Sequence, residues 1–223
     1  MQVNKNNKTN RISAVSRLKE SDSLLAAVIN QVGPCRLERG VQGFPALVRS
    51  ITTQQLSNHA AKAIQAKLQA LFGNDGLCPT RILQTSDEAL RKTGLSMMKV
   101  GYLRDLADHV ASSKVDFNSL EAIDDEAVIR ILTQVRGIGR WTAEMYLIFS
   151  LGRPDVFPID DLAIRTAMAH IYNLPETDFR ASATKIAERW RPFRSIACWY
   201  LYQYRGILYE KNRSGAVKPP ATA

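Results

Sequence analysis

The chain has 223 residues, 45% of them hydrophobic and 23% charged, which suits one large domain or two small lobes sharing a core and is too apolar for general disorder. Its 30 basic and 21 acidic residues leave a formal net charge of +9; counterion release then puts nucleic acid first among partner classes, although composition alone is weak grounds. Three widely spaced cysteines, Cys35, Cys78 and Cys198, argue against a disulfide framework and exclude a four-cysteine zinc or iron–sulfur site within the chain, and His59, His109 and His170 form no ligand-spaced pair.

In chain order, residues 1–16 are polar and basic and read as a flexible tail, with Lys5, Lys8 and Arg11 followed by Arg17 and Lys19. They hold no apolar signal core, and no later stretch, Ile196–Tyr204 included, is long enough to span a bilayer. An intracellular protein without a membrane partner is expected, in the cytoplasm or nucleoid of a bacterium or the nucleus of a eukaryote. Residues 17–213 read as the folded domain and residues 214–223 as a second flexible tail.

Ile64, Leu68, Leu71 and Phe72 recur at helical spacing, and Gly73 follows as a C-cap. Thr85 and Glu88 form a capping-box pattern ahead of Leu90. Val128, Ile131, Leu132 and Val135 trace another helical stripe, with Asp124 or Asp125 available to cap its start. Ile164, Ala167, Met168 and Ile171 repeat the pattern after Asp160 and Asp161. No stretch alternates with period two between hairpin turns, so the fold class is all-α, with roughly ten helices.

The segment 131–166 is the most informative. One helix ends near Thr133 or Gln134, and a second runs from Arg140 to Leu151 and stops at Gly152. Between them Gly137 and Gly139 suit a tight reversal with positive φ and close approach of another molecule. The free amides opening the second helix are a seat for a phosphate. A tight turn inside a bundle is the simpler explanation of a bare Gly-x-Gly. A dinucleotide fingerprint does not, because its third glycine would fall at Thr142 and no strand precedes the turn. Pro158 then biases Phe157 toward an extended connector, and the Asp160–Asp161 pair opens the next helix. An Asp there is ordinarily an N-cap; two adjacent carboxylates need only one cap, which leaves the other for a cleft.

Gly137–Ala143 (G-I-G-R-W-T-A) followed by Asp155–Asp161 (D-V-F-P-I-D-D) resembles the helix-hairpin-helix superfamily of base-excision glycosylases, and within it the alkylation-repair, DNA-3-methyladenine glycosylase II branch. Phe44, Leu47, Val48 and Ile51 with Gln54-Gln55-Leu56-Ser57, and the run Ala187–Ser195, extend the likeness over roughly Gly43 to Tyr204. The resemblance implies two helical lobes around a DNA-binding cleft, in a monomer that binds double-stranded DNA containing damaged bases. It implies that Asp161, twenty residues after Trp141, is the catalytic carboxylate and Asp160 its structural or capping partner. Gly137, Gly139 and Thr142 would grip DNA, and Gln55 would fill the gap left by a flipped base. Trp141 would form the wall of the base pocket. No cofactor is required, though family hairpins often hold Na+ or K+ on backbone carbonyls, here those of Thr133, Val135 and Ile138.

Relatives that also cut the strand carry a nucleophilic Lys where this chain has Trp141, so base removal without strand cleavage is implied. The duplex must release the base before its glycosidic bond is reachable. A cationic alkylpurine such as 3-methyladenine or 7-methylguanine would stack on Trp141 and leave without a general acid, while Asp161 stabilises the oxocarbenium sugar. A neutral lesion such as hypoxanthine should react more weakly. The rival readings are a DNA-binding module without catalysis and a glycosylase for mismatched or oxidised bases. Tyr146, Trp190, Phe193, Trp199 and Tyr200 stand as pocket wall or core.

Overall fold

A computed structural model describes the backbone of residues 2–73 and 76–213 and the side chains of residues 11–73 and 76–210. The described residues form thirteen α-helices and no strand: α1 (Gln2–Ser21), α2 (Ser23–Val32), α3 (Gly43–Thr53), α4 (Asn58–Phe72), α5 (Pro79–Gln84), α6 (Asp87–Lys92), α7 (Met97–Ala111), α8 (Phe117–Leu120), α9 (Asp125–Leu132), α10 (Arg140–Tyr146), α11 (Leu162–Tyr172), α12 (Phe179–Glu188) and α13 (Arg194–Arg213). A π-turn, Leu147–Leu151, prolongs α10, and a 3-10 turn precedes α12. The thirteen exceed the expected ten because several are single turns too short to show periodicity.

Short polar side chains set the helix starts. Asp22, Ser57, Ser86, Ser96, Asp124 and Asp161 each accept a hydrogen bond from a first-turn amide. Two expected details shift by one position. Ser86, not Thr85, caps α6, while Thr85 closes α5. Leu71 is exposed, and Ile64, Leu68 and Phe72 alone carry the buried stripe of α4.

The chain divides into two compact units, residues 1–38 with 153–223, and residues 39–152. In the first, α2 packs on α1, α11 and α13, and α13 packs on α11. Leu18, Leu25, Ile164, Met168, Trp190 and Tyr200 lie in its buried core. Asp22 is buried in the same unit and fully engaged. One oxygen caps α2, and the other accepts from the Tyr172 hydroxyl at 2.9 Å and the Trp190 indole at 3.1 Å. Burial, reinforced by that carboxylate, raises the Tyr172 pKa far above its ordinary value. The stretch expected to be a flexible tail to Ser16 is part of α1. Ala14 and Leu18, four residues apart, supply a buried face that a solvated tail would not have. Residues 214–223, the other expected tail, lie outside the described residues.

In the second unit α7 packs against α3, α5 and α6, and α10 packs against α3 and α9. Leu47, Ile51, Leu103, Leu106, Leu132 and Leu147 are wholly buried here. Arg104 of α7 reaches back to the carbonyls of Ile82, Leu83 and Thr85, satisfying the end of α5. The fixed surface of α7 becomes the support for the site.

Candidate active site

The hairpin forms where the spacing places it. Thr133 closes α9, Gly139 opens α10, and Gly152, left-handed at φ 69°, ends the π-turn. The two hairpin glycines serve different ends. Gly137 has φ 85°, and a Cβ there would lie 2.2 Å from Cδ2 of Tyr102, so no side chain fits. Gly139 is extended, φ −90° and ψ 173°, which corrects the expectation of positive φ at both. A Cβ on Gly139 would meet nothing of the chain within 4 Å. Its glycine therefore answers to no crowding inside the protein. Gly139 also brings no side-chain oxygen to cap α10.

Thr142 is buried, which limits its expected DNA contact to its backbone amide. Val135 and Ile138 also bury their side chains, and the Val135 carbonyl accepts from the Ile138 amide at 3.1 Å. Thr133 is exposed, with its hydroxyl donating to the Ile129 carbonyl. Thr133 closes α9, so its carbonyl lies at the negative end of that helix. Among the described residues no group of three or more His, Cys, Asp or Glu side chains is placed to hold a metal.

The Gln54–Ser57 turn lies against this hairpin. Gln54 donates from Nε2 to the Gly137 carbonyl at 2.8 Å. Gln55 is exposed and left-handed, φ 56°, and so forms the tip of the turn. The helix begins later, at Asn58, with Ser57 as its cap. Gln54, Gln55 and residues 133–139 line one groove of about 490 Å³, together with Met98, Lys99 and Tyr102. Burial lowers the Lys99 pKa below the usual lysine value.

Trp141 also belongs to the second unit and is 48% exposed, unlike a core tryptophan. Its neighbour Arg140 is tied to Glu126 at 2.5 Å and to Glu144 at 3.0 Å; chiefly through the Arg140 hydrogen bond, Glu126 titrates below its ordinary range. Among the other aromatics, Tyr146, Trp190 and Tyr200 are core, whereas Phe193 and Trp199 are half-buried.

Asp161 lies in the first unit, 6% exposed. The sequence expectation made Asp160 the structural or capping partner of Asp161, and the capping falls instead to Asp161. Asp161 is itself the cap of α11, with Oδ1 accepting from the amides of Ala163 at 2.7 Å and Ile164 at 3.0 Å. Its Oδ2 accepts from the Tyr202 hydroxyl at 3.1 Å. Asp160 is exposed and paired with Arg180. The reason is geometric: position 161, extended at φ −67° and ψ 125°, is the last residue before helical dihedrals begin. The connector is anchored upstream, where Asp155 binds Arg191 at 2.7 Å and Arg194 at 2.8 Å, and the Val156 amide donates to Ser195 Oγ at 3.0 Å.

Sequence reasoning missed Tyr202, Lys99, Tyr102 and Asp105. Asp105 accepts from the Arg136 amide at 2.7 Å and its guanidinium at 3.1 Å. Desolvation is the largest single influence on Asp105 and opposes ionisation, yet Arg136 and the nearby His109 together hold its pKa below the ordinary value. Nothing in local spacing marks these residues, since each acts on a segment far away in the chain.

Residues 48–192 match the family model described as HhH-GPD superfamily base excision DNA repair protein. The chain is 35% identical over 192 residues to DNA-3-methyladenine glycosylase 1 of Schizosaccharomyces pombe, covering 85% of this chain and 84% of that one. A DNA-3-methyladenine glycosidase structure from Bacillus halodurans superposes with a TM-score of 0.80 at 36% identity, over 89% of this chain and 91% of the other. The S. pombe 3-methyladenine DNA glycosylase Mag1, solved in complex with abasic DNA, superposes with a TM-score of 0.76 at 34% identity, over 86% and 95%.

Proposed function

The chain belongs to the HhH-GPD superfamily of base excision DNA repair proteins, and from that premise we propose that it is a monofunctional DNA-3-methyladenine glycosylase, hydrolysing the N-glycosidic bond of alkylated purines such as 3-methyladenine and 7-methylguanine. The observation that carries the reading is Asp161. Its carboxylate is buried, fixed by two amides and a phenol, at the connector following the hairpin by the family's spacing.

Double-stranded DNA containing a damaged base is the partner. Its phosphates are held by the amides of Gly137, Gly139 and Thr142, contacts that carry no sequence information. The target nucleotide leaves the stack and Gln55, exposed at the tip of its turn, fills the gap. Trp141 stacks on the cationic base, an attraction of about 0.5 to 2 kcal/mol. As the C1′–N bond breaks, its electron pair neutralises the alkylated base, and the sugar becomes an oxocarbenium facing Asp161. Water then adds to C1′ and loses its proton to solvent or to the carboxylate. With Trp141 where a lyase would carry an amine, no Schiff base forms there and the strand remains intact. A Na+ or K+ ion on the carbonyls of Thr133, Val135 and Ile138 would add positive potential at the phosphate. The enzyme acts as a monomer inside the cell. Among the described residues no helix is long and apolar enough to cross a membrane.

The test is a duplex carrying one 7-methylguanine. Wild type should release the base and leave an abasic site that breaks only with alkali. Asp161→Asn should bind abasic DNA but release the base on the order of 10²- to 10⁴-fold more slowly, since Asn caps a helix as well as Asp does. Retained excision removes Asp161 from the mechanism; strand cleavage without alkali contradicts the monofunctional reading. A DNA-binding module without catalysis would give no release even in the wild type.

A further inference from the structure

Lys99, Tyr102 and Asp105 recur at intervals of three along α7 and therefore share one side of it. Each touches the end of α3 or the 133–139 hairpin. Lys99 Nζ donates to the carbonyls of Thr52 at 3.0 Å and Gln54 at 2.7 Å. The Tyr102 ring fills the space a side chain on Gly137 would need. Asp105 holds the Arg136 amide.

The chemistry at Lys99 is specific. Helix α3 ends at Thr53, where its last carbonyls have no partner further along the helix. An ammonium seated on them satisfies these acceptors and opposes the negative end of the helix dipole. The chain can then turn abruptly, which forces Gln55 into the left-handed region, unusual for a residue other than glycine. Gln54 completes the link: its carbonyl accepts from Lys99, and its side chain donates to Gly137 of the hairpin. A lysine in a groove beside a hairpin would ordinarily be read as a phosphate contact. Here two of its three donors are spent on the protein's own backbone.

We propose that this side of α7 is a positioning device that holds the Gln55 turn and the 133–139 hairpin in one register, with Lys99 and Gln54 as positioning residues and not DNA ligands. The proposal rests on the reading of Gln55 as the residue that fills the vacated stack. It makes base displacement and backbone grip a single rigid act, because neither turn moves without disturbing Gln54.

Lys99→Met tests this, since it keeps the length of the stem and removes the donors. The probes are a duplex with one 7-methylguanine, for single-turnover excision, and a duplex with an abasic-site analogue, for affinity across a salt series. Excision by Lys99→Met should fall about 10- to 100-fold, as expected of a misplaced catalytic surface. The slope of log affinity against log salt should stay unchanged. Adding Lys99→Met to Gln55→Ala should cost little beyond Gln55→Ala alone, because both remove one function. Gln54→Leu, which cuts only the link to Gly137, should reproduce the loss and serves in its place if Lys99→Met does not fold.

Four results overturn the proposal. A salt slope reduced by about one would make Lys99 a phosphate contact. Losses that multiply in the double variant would make the two residues independent, as a general weakening of the fold also would. Normal excision by folded Lys99→Met, with Gln55→Ala impaired, would sink the positioning role while leaving Gln55 in place. Normal excision by Gln55→Ala instead removes the role of Gln55 itself, and with it the device as stated.

Discussion

The hairpin at 133–139 and the connector at 153–161 are both short turns between helices, yet they present polar groups in opposite ways. The hairpin offers backbone: Gly139 is open to whatever approaches, and the support beneath it comes from the side chains of Gln54, Tyr102 and Asp105. The connector withholds a side chain: Asp161 is buried, and backbone amides and one hydroxyl hold it. Gripping a phosphate needs donors that face solvent and cost little to reach. Stabilising a carbocation needs a negative charge whose surroundings are already oriented before the bond breaks. Substitutions in the two turns should therefore fail differently, the connector in rate and the hairpin in affinity.

Asp161→Asn is the strongest way to break that contrast. It should lower single-turnover excision by on the order of 10²- to 10⁴-fold, with affinity for abasic DNA and melting temperature near wild type. A matching loss of affinity would mean the connector also grips DNA. The hairpin glycines give the next largest effects, and they should separate. Gly137→Ala places a Cβ 2.2 Å from Tyr102 at a positive φ, so stability should drop by about 1–3 kcal/mol along with affinity. Gly139→Ala meets nothing within the chain, so stability should change by less than about 0.5 kcal/mol. Its affinity for abasic DNA should nevertheless weaken about tenfold, the weight of one charge-assisted hydrogen bond. Unchanged affinity for Gly139→Ala would remove that amide from the interface. Tyr202→Phe refines the connector's side. Losing one hydrogen bond to Oδ2 should slow excision about tenfold or less and leave affinity alone.

The helical class, the hairpin and the span of its second helix were legible because they depend on local order: periodic apolar residues, a Gly-x-Gly between them and Gly152 as a stop. Local order could not decide between Asp160 and Asp161, because both precede the same helix and only the chain's exit angle selects the cap. Nor could it distinguish Gly137 from Gly139, since the first is required by a Tyr102 ring from a helix much earlier in the sequence. Lys99 and Tyr202 left no trace for the same reason. Their partners lie 45 and 41 residues away and meet them only once the helices have packed.

Asp105 carries the smallest of these effects, and one that changes with pH. Its folded pKa lies below the ordinary carboxylate value of 3.8, because Arg136 and His109 together outweigh the opposing desolvation. A lowered folded pKa contributes stability that is fully present above the unfolded value and is lost as pH falls through the folded one. Wild type should therefore exceed Asp105→Asn by about 1 kcal/mol at neutral pH, and the gap should close below about pH 4. Urea denaturation of both proteins across that range measures it. His109 Nδ1 lies 3.6 Å from the carboxylate, close enough for its electrostatic attraction to contribute to the lowering. If the gap closes, the hairpin's support is partly ionic, unlike the amide-held connector. A gap that stays constant to the lowest pH would mean that Asp105 holds Arg136 through shape and neutral hydrogen bonding alone, and the contrast between the turns would then rest on exposure, not on charge.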